Sequence, residues 1–155
     1  MYARNTSSAI RKGGTVPAIL HADIEAEFIG YMASALQSRP EAYAANVRVS
    51  NRVPNGSSTQ PWPASGRLVV VRYDGGPRTP DVRATARIGV RVWAEDEATT
   101  SDLANLVSAL VGAWRSPVVR VSNPTLPTSV TEESSRPAQY FTAELMIRGR
   151  QLPAA

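Results

Sequence analysis

Cysteine is absent from the 155-residue chain, which excludes disulfides, thiol nucleophiles and thiolate metal sites. Histidine occurs once, as His21. A Ser-His-Asp site would rest wholly on that residue, with no second histidine to support it. A metal would have to be held by oxygen alone. No apolar run approaches the roughly 18 residues that a membrane span needs. The opening MYARNTSSAIRKGG has no apolar signal-peptide core. The expectation is a soluble, non-secreted protein with no membrane contact. Lysine also occurs once, at Lys12, so the net charge of +4 is carried almost entirely by arginine. The basic residues are scattered, and no tract exceeds Arg11-Lys12. Dedicated nucleic-acid binders show clustered runs, so sequence-independent DNA binding stands here as an alternative reading only.

Phosphate-loop patterns are missing too. GGP at 75–77 lacks GxxxxGK[ST] and lies between two strand candidates. The acids Glu95, Asp96 and Glu97 read as a helix N-terminus, where the dipole favours negative charge, before they read as a cation site. No catalytic constellation emerges, and neither an enzyme nor a cofactor is expected.

What is present is a full globular pattern, 43% hydrophobic and 19% charged, long enough for one domain with a real core. Residues 1–20 have no sustained period and read as an N-terminal arm. One domain is expected over 21–150, with 151–155 frayed. Asp23 is an N-cap candidate for a helix whose stripe is Ile24, Phe28, Tyr31, Met32 and Leu36. NVRVS (46–50) is a short strand candidate, followed by a long loop (51–66) rich in Gly, Pro, Ser and Asn. In that loop Trp62 reads equally as an anchor for a partner and as a ring folded back over the core edge. RLVVVRY (67–73) is a strand apolar on both faces. A second helix spans 95–114 on Leu103, Leu106, Val107, Leu110, Val111 and Trp114. PVVRVSN (117–123) and QYFTAELMIRG (139–149) are strands, and 124–138 reads as a polar loop.

The longest strand candidate, 82–94, alternates almost without fault. Val82, Ala84, Ala86, Ile88, Val90 and Val92 share one face; Arg83, Thr85, Arg87, Gly89, Arg91 and Trp93 share the other. Gly89 leaves a gap between two arginines where another backbone or side chain could approach. Two helices cannot cover both faces of a sheet of about five strands. The expected fold is therefore two-layer α+β, with a mixed, mostly antiparallel sheet and both helices on one face. The other face carries the arginines with Trp93 and Met146, too apolar to be simply solvated.

The ordered series DIEAEFIGYMASAL, VRVSNRVP, RLVVVRYDGGPR, VRATARIGVRVWAEDEATTSDLANLVSAL and RPAQYFTAELMIRG resembles the tail terminator proteins of long, non-contractile-tailed bacteriophages, especially those of actinobacteria. It covers roughly residues 22–149. The resemblance implies a mixed sheet with helices on one side and a ring of six identical subunits. Such a ring caps the head-proximal end of the tail tube, ends tube polymerisation and offers a docking surface to the head connector or stopper. It implies a virion protein, assembled in the host cytoplasm, without catalysis, and with non-specific passage of DNA through the ring.

In such a ring Arg83, Arg87, Arg91, Trp93, Glu144 and Met146 are candidates for the subunit interface or lumen. Glu144 and Glu95–Glu97 are candidate ionic partners for the arginines. Trp62, Asp74, Gly75, Gly76, Pro77 and Arg78 are candidates for contact with the tail tube or connector. Another neck ring protein, a head-tail stopper or tail-completion protein, is the alternative within the same class.

Overall fold

The computed structural model describes residues 17–77, 82–131 and 135–153. Helix α1 (Ile24–Gln37) begins where Asp23 leaves helical geometry and its carboxylate accepts the Ala26 N–H at 3.1 Å. Helix α2 (Glu97–Gly112) begins the same way, with Asp96 accepting from Thr99 N–H at 2.7 Å. Each cap satisfies an otherwise unpaired first-turn donor. The acids at 95–97 thus include a true helix start.

Six strands form one sheet: β2 (Arg48–Ser50), β3 (Leu68–Gly75), β4 (Arg83–Trp93), β5 (Val119–Pro124), β6 (Thr128–Val130) and β7 (Ala138–Arg148). Their order is β2-β3-β4-β7-β5, with β6 also on β7. Only β2 and β3 run parallel. Strands β4 and β7 pair along their whole length, from Arg83 opposite Arg148 to Trp93 opposite Ala138.

The even residues of β4 and the odd residues of β7 form the floor of the main core. Ala86, Ile88, Val90, Val92, Phe141, Ala143, Leu145 and Ile147 are buried there, with Val69 and Val71 of β3. Both helices lie on this floor through Ile24, Phe28, Met32 and Leu36 of α1 and Leu103, Ala104, Val107 and Val111 of α2. Trp114 closes one end, edge-on to Phe28 and stacked on Tyr31. The fold is two-layer α+β, as alternation within the strands requires.

Three local features differ from the sequence reading. The polar segment 124–138 contains β6, whose three residues pair with Tyr140, Gln139 and Ala138. Part of the expected arm is also ordered: β1 (Ile19–Leu20) pairs with β8 (Arg150–Gln151). Gln151, expected to fray, is therefore in a strand. Neither two-residue strand is long enough to show a period.

Candidate interaction face

The second face of the sheet holds Leu68, Val70 and Arg72 of β3, the odd residues of β4 and the even residues of β7. It divides into a capped end and an open end.

At the capped end Leu68, Val70, Trp93 and Ala138 form a small separate core, with Trp62 and Val130 packed on it. The Trp62 ring meets Trp93 edge-on at 5.5 Å, and the Arg136 guanidinium lies 4.0 Å above Trp62. The loop holds this position through a hydrogen bond of its own, Gly56 N–H to Gln60 O, and through one from β2, Arg48 Nη1 to Pro61 O. Trp62 is thus folded back over the core edge, and Trp93, an interface or lumen candidate, is 1% exposed beneath it.

Arg91 is also drawn into this end. Its guanidinium lies 5.7 Å from the Trp93 ring and 5.9 Å from the Tyr140 ring, within cation–π range. The gap at Gly89 is filled from within the chain, because Tyr140 leans diagonally across it.

Arg87 stands in register with Glu144, as its proposed partner should, but among the described residues no ion pair joins them. Glu144 Oε1 accepts instead from Asn123 Nδ2 at 3.0 Å. Glu95 does hold an arginine, but a different one. Arg67 donates to both of its oxygens and, through Nη1, to the carbonyls of Ala42 and Ala45. This clamp ties the 3-10 turn at Ala42–Ala44 to the junction of β4 and α2. Arg67 holds the Glu95 carboxyl below its ordinary range. Glu95 is a candidate ionic partner from its place at the helix start, but Arg67 is not the arginine expected for it, since the two lie 28 positions apart.

The turn residues have backbone reasons for their identity. Gly75 ends β3 at a bulge with φ +74°, and any side chain at Gly76 would run into the Thr85 carbonyl. Asp74 accepts from Arg72 Nε at 2.8 Å. Pro77 is exposed, and Arg78 lies outside the described residues.

The open end carries Met146, 42% exposed, among Arg83, Arg87, Arg120 and Arg148, all exposed. Arg148 is opposite Arg83, and Arg120 is opposite Met146. Arg115 is opposite Arg120 in an isolated antiparallel bridge. Spacing within single strands pointed to Arg83 and Arg87; Arg115, Arg120 and Arg148 join them only through register.

His21 Nε2 is buried without a hydrogen-bond partner among the described residues. No described group of three or more His, Asp or Glu residues could hold a metal. Among the described residues no helix is long and apolar enough to cross a membrane. No protein-family model matches the chain, and no curated protein sequence matches it.

Proposed function

We infer that the chain is a structural virion subunit that forms a six-membered ring on the head-proximal end of a phage tail tube. The ring ends tube polymerisation and receives the head connector. The observation that supports this reading most is the half-covered second face of the sheet. The 51–66 loop and β6 close one end, while Met146 and its arginines remain open at the other. A cyclic assembly needs two different patches on each subunit, one for each neighbour. An open sheet end with an apolar centre and a charged rim has the composition of such a patch. The helix layer lies on the opposite side of the sheet.

Electron microscopy of the purified chain mixed with tail tubes tests the reading. The expected result is six-fold rings seated on one end of each tube, and tubes that no longer elongate. Charge reversal at Arg87 is expected to weaken the ring. Rings that bind the connector but not the tube would move the chain to the head-tail stopper role. Neither rings nor tube binding would overturn the proposal. A monomer in the absence of tubes agrees with it, since docking itself can drive closure.

A further inference from the structure

We propose that the second patch of the ring contact is the groove between α2 and β6, with Leu126 at its end, and that it receives Met146 and its arginines from the next copy of this chain. The proposal rests on the ring reading, which leaves unassigned one of the two patches that a cyclic assembly needs. The groove is a hollow of about 440 Å³ between Glu97, Ala98 and Ser101 of α2 and Ser129 and Val130 of β6. Just before β6 stands Leu126, which is 81% exposed, more than any other large apolar side chain among the described residues. Its backbone is fixed. Pro124 and Pro127 bracket it, Thr125 N–H donates to Thr142 O at 2.9 Å, and Thr142 N–H donates to Thr125 Oγ1 at 2.9 Å. The Thr125 carbonyl also accepts from Ser108 Oγ of α2 at 3.4 Å. A leucine held out in water on an ordered backbone has already lost the freedom that binding would otherwise remove.

Charge selects the occupant. Glu97 lines the groove, and Asp102 is one helical turn on from Ala98, on the same side of α2. Both acids are exposed, and neither makes an ion pair among the described residues. Around Met146, Arg87, Arg120 and Arg148 are exposed and likewise make none. Each patch thus joins an exposed apolar side chain to charges of one sign, and the signs are opposite. Two arginine ends facing each other would set like charges together, which disfavours a two-fold pairing of copies through Met146.

The two patches do not overlap. Val130 is opposite Ala138, and from Ala138 to Met146 along β7 is about 26 Å at 3.3 Å per residue. The groove borders the helix layer, whereas Met146 is on the other face of the sheet. One copy can therefore hold one neighbour at each site at once, as a heterologous contact requires.

Photo-crosslinking tests the proposal. The chain has no cysteine, so Ala98→Cys puts a single benzophenone-maleimide probe on one wall of the groove, and Ser129→Cys puts one on the other wall. Both positions are exposed, and circular dichroism checks that the variants fold. Each labelled variant is irradiated with tail tubes, and mass spectrometry locates the link. The expected product from both walls is a ladder of copies joined to the segment around Met146 of another copy. Glu97→Lys/Asp102→Lys in the labelled chain should lower the yield about tenfold, and mixing with an unlabelled Arg120→Glu/Arg148→Glu chain should restore it. Capture of the tube protein, capture of a different segment of this chain, or no capture at either wall overturns the proposal. Six-fold rings with the link elsewhere would strike this contact and keep the ring reading. A link to Met146 without rings on tubes would keep the contact and remove the tail-end role.

Discussion

Tyr140 covers Gly89: a methyl group built on that glycine would lie 2.6 Å from the tyrosine hydroxyl and about 3.1 Å from its ring. The two residues are diagonal neighbours on β4 and β7, an arrangement in which a cross-strand ring shields a strand glycine. Replacing Gly89 with alanine must swing the ring aside and disturb its contact with Arg91. We expect Gly89→Ala to destabilise the protein by about 1 kcal/mol. In a Tyr140→Ala background the same change should stabilise by about 0.5 kcal/mol, since alanine then brings only its lower unfolded-state entropy. Chemical denaturation of the four proteins checks the cycle. Equal effects in both backgrounds would contradict the contact.

Gly76 is constrained by backbone, not by a side chain. A methyl group there would run into the carbonyl of Thr85 on β4, and no rotamer relieves that. Gly76→Ala is expected to cost about 2 kcal/mol by forcing the β3–β4 connection apart. Gly75→Ala should cost about 1 kcal/mol, because its φ of +74° suits glycine. If Gly76→Ala were the milder of the two, the close approach would be wrong.

The alternation of β4 fixed both of its faces, and the 3.6-residue stripes fixed the inward sides of both helices. Those signals lie within one segment. The cluster of arginines at the open end of the sheet does not, because Arg83 and Arg148 meet only through the β4–β7 register. The Arg67–Glu95 clamp is hidden for the same reason. Strand β6 escaped because Thr-Ser-Val is too short to declare a period, and its partner β7 supplies the order. For Trp62 two destinations suited the sequence equally. The buried surface of Leu68 and Trp93 beneath it decides the matter, because that apolar area would otherwise face water.

Trp62 is consequently a stability residue as well as a surface one. Trp62→Ala removes the cap from Trp93 and the platform under Arg136. The expected loss is about 2 kcal/mol, between a bare aromatic pair and a fully buried tryptophan. For a chain of this size that lowers Tm by roughly 4–8 °C. Trp93 fluorescence should shift to the red as water reaches its ring. A deletion of 55–62 would carry the same cost, so point substitutions are the cleaner probes of tube binding.

Acid should expose the Arg67 clamp. Two carboxyls are depressed by arginine hydrogen bonds: Glu41, lowered to about 2 by Arg39, and Glu95, lowered by Arg67. A group whose folded pKa is lowered stabilises the fold above its unfolded pKa, about 4.5, and loses that contribution as pH falls through the folded value. The Arg39–Glu41 pair is partly exposed on both sides, 40% and 27%, and is formed between residues two apart, so solvent screens it. Arg67 is only 17% exposed and also holds the Ala42 and Ala45 carbonyls, so its geometry is fixed before Glu95 ionises. We therefore expect Glu95→Gln to narrow the difference in Tm between pH 7 and pH 3 more than Glu41→Gln does. Adding 0.5 M salt should weaken the Glu41 contribution more than that of Glu95, whose arginine is the more buried partner. Arg67→Lys should lower Tm at pH 7, because an ammonium cannot present the planar fork that reaches a carboxylate and two carbonyls together. Equal pH sensitivity of the two glutamine variants would show that the clamp adds nothing beyond a surface pair.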